Sequence, residues 1–150
     1  MLPKLSVASN TFIDLMPTKT FAGRYASLAK ISEFVAQSAE EVGFDSKGIY
    51  AVKLAVDEAC TNIIEHGYGG EGLGDIKCTC DVSDDGLTIT LQDWGRSFNP
   101  DAVPDPNFSV PLEDLKSRGA GLFFMKKLMD EVHYKFDSQS GNILIMVKRK

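Results

Sequence analysis

The chain has no excess of basic residues, few cysteines and histidines, and no long apolar run. Its 16 Lys and Arg stand against 21 Asp and Glu, for a net charge of −5. A nucleic-acid surface needs a concentrated basic stripe to neutralise phosphates, so direct nucleic-acid binding is not expected and the partner should be a protein or a small molecule. The three cysteines cannot all pair with one another, and Cys78 and Cys80 would share one face of a strand. They are expected to be reduced, packed thiols of a cytoplasmic protein. His66 and His133 lie far apart and at no ligand spacing to those cysteines, which argues against a structural zinc site. Residues 1–10 lack the apolar core of a signal peptide, and runs such as Ile143 to Val147 are too short to span a bilayer, so a soluble protein with no membrane association is expected. The chain has no internal repeat and no low-complexity tract.

What is present suits one domain over residues 1–150, since 43% hydrophobic content at this length can bury a core without staples. Leu5 to Ala8 and Phe12 to Leu15 read as short strands, and Pro17 breaks the pattern before a helix predicted from about Phe21 to Val42. Ala26, Leu28, Ile31, Phe34, Val35 and Ala39 recur near helical spacing there, and Gly43 suits the left-handed residue that closes a helix. Asp45 or Ser46 can cap a second helix reaching about His66, where the glycines of Gly67 to Gly72 end it. Asp75 to Val82 and Leu87 to Asp93 form a hairpin around Asp84-Asp85-Gly86, with Ile76, Cys78, Cys80 and Val82 alternating on one face. From Phe98 to Arg118 four prolines and four acids make a long polar loop, of a length that compact domains keep for function or disorder. A third helix from Gly121 to Glu131 precedes strands over Val132 to Asp137 and Asn142 to Lys148. That order implies an α+β sandwich, with helices on one face of a mostly antiparallel sheet.

Three stretches carry chemistry: Asp57-Glu58-Ala59-Cys60-Thr61-Asn62, Asp93-Trp94-Gly95 and Gly119-Ala120-Gly121-Leu122. Glu58 and Asn62 lie one turn apart on a helix flank beside Ala51 and Ala55, whose small side chains leave room for a ligand. A carboxylate and an amide so placed can serve a hydroxyl nucleophile and a Mg²⁺ ion, although an ordinary solvated helix edge has the same pattern. Asp57 projects away from that flank, and His66 can simply pack near the helix end. Asp93 ends a strand and can accept from an adenine amino group, with Gly95 letting the backbone turn tightly against a flat ring; a plain Asp-x-Gly turn is the alternative. Gly119 and Gly121 precede the apolar helix of Leu122, Met125, Leu128 and Met129, so their N–H groups could face an anion at its positive end, with Arg118 beside them. A flexible joint would also contain such glycines. The motif is neither a P-loop, having no Gly-Lys-[Ser/Thr], nor a Rossmann fingerprint, having no strand leading into it.

In order and spacing the three stretches resemble the N, G1 and G2 boxes of the GHKL superfamily of ATP-binding domains. More closely, Leu54 to Asn62 through His66-Gly67-Tyr68, Asp93-Trp94-Gly95 with Phe98-Asn99-Pro100, and Gly119 to Leu122 with Leu128 to Val132 are similar to bacterial anti-sigma-factor serine/threonine kinases of the RsbW and SpoIIAB type. The resemblance covers most of the chain and is weakest before Phe21. It implies the Bergerat fold, ATP and Mg²⁺ as cofactors, and an anti-anti-sigma (STAS-type) protein as substrate. A sigma factor would be a second partner, and the N-terminal region would form a homodimer. By position it makes Glu58 the general base toward a Ser or Thr hydroxyl, Asn62 the Mg²⁺ ligand and Asp93 the adenine acceptor. Gly95 would admit the nucleotide, Gly119, Gly121 and Leu122 would line its phosphate side, residues 99–118 would be the ATP lid, and Arg118 would contact the γ-phosphate. Arg96-Ser97 and Ala120 depart from residues common in the family, and both positions bear on lid closure. A histidine kinase would need a phosphoacceptor His on a dimerisation helix ahead of the ATP domain, which this sequence does not show. An ATP-gated binding module that transfers no phosphate is the other functional class these motifs allow.

Overall fold

The structure, a computed structural model, describes residues 16–97 and 117–150, with side chains from 121 onward in the second segment. The strands expected around residues 5–8 and 12–15, and the expected lid apart from residues 117 and 118, lie outside the described residues. Five strands form one antiparallel sheet in the order β1-β2-β3-β5-β4: β1 Thr18–Ala22, β2 Asp75–Val82, β3 Gly86–Asp93, β4 Glu131–Asp137 and β5 Gly141–Arg149. Three helices, α1 Leu28–Val42, α2 Ser46–Asn62 and α3 Ser117–Leu128, share a continuous core with the inner face of the sheet. This is the α+β sandwich expected. No helix among the described residues is long and apolar enough to cross a membrane.

The period-two pattern of the central hairpin builds the sheet's inner face. Ile76, Cys78 and Cys80 from β2, and Leu87, Ile89 and Leu91 from β3, are buried, and each large aliphatic side chain removed from water is worth about 1.5–3 kcal/mol. All three cysteines are free and buried. From the helical side Ile31, Val35, Val52, Val56 and Ile64 meet that face, joined by Leu122, Met125 and Met129 around α3. Leu122, Met125 and Met129 are thus inward as expected, whereas Leu128 is only partly buried.

The helix expected from Phe21 begins instead at Leu28. Residues 18–22 pair with β2, from Thr18 opposite Thr79 to Ala22 opposite Asp75, and Phe21 is buried edge-on against Phe34 with ring centroids 5.8 Å apart. A free strand edge and an apolar slot, neither visible locally, outweigh the helical periodicity. A short 3₁₀ turn over Tyr25–Ser27 then leads into α1. Gly43 ends α1 with φ +96, and Phe44 N–H reaches Ala39 O at 3.2 Å in a Schellman-type closure. Asp45 caps α2 by accepting from Gly48 N–H at 2.9 Å. The last stretch of the expected second helix, Ile63–Tyr68, is wound as π-helix before Gly69 at φ +82.

The third helix also differs from expectation, starting four residues earlier and ending at Leu128, because Glu131 already belongs to β4. Lys148 Nζ donates to Leu128 O at 3.0 Å, placing a cation on the negative end of the helix. Asp130 N–H donates to Val147 O at 2.8 Å, which turns the chain into the β4–β5 hairpin.

Candidate nucleotide site

The inward alternation of β3 continues past Leu91 to Asp93, so the carboxylate lies on the helix-facing side of the sheet, 6% exposed. It lines a small cavity between the sheet and α2, with α3 as a further wall. Ala59, Asn62 and Ile63 come from the α2 side, Leu122 and Met125 from α3, and Tyr134, Asn142 and Leu144 from the β4–β5 hairpin. A few polar groups among apolar walls is the usual make-up of a small-molecule site. Ala51 and Ala55 do not line it: both are buried, and it is Ala59 that leaves room at the cavity.

Asp93 Oδ1 accepts from Gly95 N–H at 2.9 Å and from Asn142 Nδ2 at 3.0 Å. Burial raises its pKa, and those two hydrogen bonds oppose the rise. The turn after Asp93 is bound to the π-helical segment. Arg96 N–H donates to Gly67 O at 2.8 Å, and Arg96 Nη2 to His66 O at 3.3 Å. Trp94 N–H donates to the Tyr68 hydroxyl, which donates in turn to Asp75 O at 2.6 Å. Gly95 sits so close to Gly67 that an added Cβ would lie 2.5 Å from the Gly67 carbonyl carbon. In this structure Gly95 therefore serves helix-to-turn packing, in keeping with the Asp-x-Gly turn that the sequence offered as the alternative.

Glu58 and Asn62 share the expected flank of α2. Glu58 is half-buried, and its pKa is raised by desolvation first and then by the charges of Asp57 and Glu65. Gly121 faces it, and a Cβ there would stand 2.5 Å from Glu58 Oε2 and 4.0 Å from Asn62 Nδ2. Gly119 and Gly121 lie inside α3 rather than ahead of it. The N–H of Gly119 is among the first four of the helix, which have no intrahelical partner, while Gly121 contributes a bare Cα opposite the carboxylate. Arg118 falls in the same first turn, and Leu122 is 4% exposed on the cavity wall.

Asn62 Nδ2 is buried with no hydrogen-bond partner among the described residues. Such an orphaned amide is expensive unless a ligand completes it. Since O and N of an amide are assigned from their surroundings, rotating it would present Oδ1, a hard oxygen donor of the kind Mg²⁺ takes. The donor therefore fits the ion. His66 Nε2 is likewise buried without a partner among the described residues, within the π-helical turn.

Sequence reasoning missed Asn142 and Tyr134, and noted Arg96 only as a departure from residues common in the family. Asn142 directly follows a turn glycine and carries no motif; only its register opposite Asp93 reveals it.

Residues 21–148 match the histidine kinase-like ATPase domain family. The serine-protein kinase RsbW of Halalkalibacterium halodurans is 39% identical over 114 residues, 73% of this chain and 68% of that protein. RsbW of Bacillus velezensis is 35% identical, covering 73% of this chain and 70% of its own length. RsbW of Oceanobacillus iheyensis is 30% identical over 128 residues, covering 83% of this chain and 78% of its own. Among solved structures, the crystal structure of the RsbU and RsbW domains of a Mycobacterium tuberculosis protein superposes with a TM-score of 0.60 at 17% identity. That likeness covers 89% of this chain but 32% of the other and concerns the fold alone.

Proposed function

The chain belongs to the histidine kinase-like ATPase domain family and, within it, to the RsbW serine-protein kinases, and from that premise we propose that it phosphorylates a Ser or Thr of an anti-anti-sigma partner. In its other complex it sequesters a sigma factor, and it works as a homodimer in the cytoplasm. The observation that carries this reading is one arrangement. A half-buried carboxylate and an orphaned amide stand one turn apart on α2, and Asp93 lines from the sheet the same cavity as the amide.

Glu58 takes the proton of the attacking hydroxyl, and its raised pKa makes it a stronger base than an exposed glutamate. Asp93 accepts from the exocyclic amine of adenine. The N–H groups of the first turn of α3, Gly119 among them, receive phosphate oxygens at the positive end of the helix, with Arg118 as the γ-phosphate contact. Asn62 would hold Mg²⁺, which when bound neutralises phosphate charge. Residues 99–118 serve as the lid.

Two substitutions separate these roles. Gly121→Ala introduces a Cβ whose close neighbour is the end of a flexible side chain, so Glu58 swings aside and the fold is kept. Phosphoryl transfer is expected to fall by up to roughly 10²-fold, the cost of displacing a catalytic group by about 1 Å, with the melting temperature within a few degrees of the parent. Parent-like transfer would show that the contact with Gly121 does not position Glu58. Asn62→Ala should abolish the gain in ATP affinity on adding Mg²⁺, while affinity in excess chelator stays near the parent value. Titration calorimetry in both conditions checks this, and an unchanged Mg²⁺ effect removes Asn62 as the ligand.

The function itself is tested by incubating the protein with γ-labelled ATP, Mg²⁺ and STAS-type proteins encoded beside its gene. Label on a partner Ser or Thr supports the reading. Partner affinity that responds to ATP without any label would replace the kinase by an ATP-gated binding module.

A further inference from the structure

Asn142 is an amide buried in the wall of the nucleotide cavity, 4% exposed, and both of its ends are occupied. Register places it directly opposite Asp93 on β3, while Phe136 of β4 flanks it on the other side. Its Nδ2 donates to Asp93 Oδ1 at 3.0 Å and to Gly95 O at 3.0 Å, with Arg96 O a longer 3.4 Å away. At the other end the Tyr134 hydroxyl donates to Asn142 Oδ1 at 2.7 Å. A carboxylate and two carbonyls can only accept, so that end imposes one orientation on the amide, and the Tyr134 hydroxyl then donates to the oxygen left at the other end.

We propose that the Tyr134–Asn142 pair consists of positioning residues that set the purine selectivity of the site by holding Asp93 as an oriented acceptor. The inference rests on the reading that Asp93 meets the six-position of the purine ring. With Oδ1 already accepting from Asn142 and from Gly95 N–H, Oδ2 is left to take the ligand's exocyclic amine. An oriented anionic acceptor favours a 6-amino purine and repels a 6-oxo group. The Asn142 hydrogen bond also opposes the upward push of burial on the Asp93 pKa. Without it the carboxyl moves toward its protonated form, which can donate to a 6-oxo group, and its plane is free to turn. Tyr134 acts one step farther out, by holding the amide in place through its oxygen.

The test compares ATP with ITP, whose base carries a 6-oxo group and an N1–H where adenine has the 6-amino group and a bare N1, using calorimetry on the full chain at fixed Mg²⁺. The parent should prefer ATP. Asn142→Ala should bind ATP roughly 10-fold more weakly, the effect of losing a hydrogen bond to a charged group, while its ITP affinity holds or rises. Tyr134→Phe should shift the ratio the same way by roughly 2- to 3-fold. A merely structural role would weaken both nucleotides alike, so an unchanged ATP-to-ITP ratio in Asn142→Ala overturns the proposal. Should that variant not fold, the nearly isosteric Tyr134→Phe decides by the same ratio. Asp93→Asn separates the role of Asp93 from that of the pair that positions it. If it collapses the ratio while the other variants leave it intact, the relay fails and Asp93 keeps its role. An intact ratio in Asp93→Asn removes the adenine assignment itself.

Discussion

Glu58→Gln is expected to lower phosphoryl transfer to the partner by roughly 10² or more while ATP affinity and partner binding stay near the parent values. The amide has nearly the same shape as the carboxylate, so it still fits opposite Gly121, but it cannot take a proton. The parent's own pH profile should carry the same signature. Desolvation and the charges of Asp57 and Glu65 raise the Glu58 pKa, so transfer should fall on acidification at a pH above that of an ordinary glutamate. Stability follows by linkage. A carboxyl whose folded pKa is raised contributes stability below its unfolded pKa and loses it as pH rises through the folded value. At neutral pH the ionised Glu58 is therefore a burden on the fold, and Glu58→Gln should melt slightly above the parent, the difference shrinking as pH falls through that window. Transfer and thermal melting measured from neutral pH down through the carboxylate range check both points. Transfer at the parent rate by Glu58→Gln would mean that another group is the base.

Gly95→Ala should disturb the fold as well as the site. The new Cβ would stand 2.5 Å from the carbonyl carbon of Gly67, 2.6 Å from its oxygen and 3.0 Å from Tyr68 N, all of them backbone atoms that cannot swing aside. Separating the turn from the π-helical segment breaks the Arg96 N–H to Gly67 O and Trp94 N–H to Tyr68 hydroxyl bonds and carries Asp93 out of place. Overpacking of this kind costs about 1–3 kcal/mol, which for a domain of this size lowers the melting temperature by several degrees. ATP affinity should fall by roughly 10-fold or more. The contrast with Gly121→Ala, whose new Cβ meets only a side-chain end, is the informative comparison. Calorimetry and melting on the two variants side by side would expose an error if Gly95→Ala behaved as the parent.

The features legible in the sequence are those governed by neighbours a few residues away. Helical spacing put Glu58 and Asn62 on one flank of α2. Alternation through Leu87, Ile89 and Leu91 carried Asp93 to the inner face, and Gly43 and Asp45 marked the boundary between α1 and α2 because cap conformations are local. The order of the three motifs sufficed to identify the family that residues 21–148 match.

What sequence reading left open depends on groups brought together across the chain. Residues 18–22 became a strand because β2 offered an edge to pair with, and Phe21 an apolar slot beside Phe34. Asn142 reaches Asp93 across 49 residues, Gly95 requires the bare backbone of Gly67, and Gly121 stands opposite Glu58 only once α3 packs on α2. Periodicity reports which face of an element is apolar, and capping residues report where it ends. Neither specifies which distant strand supplies the hydrogen bond that orients a buried carboxylate, because that contact exists only when the sheet register and the helix packing form together.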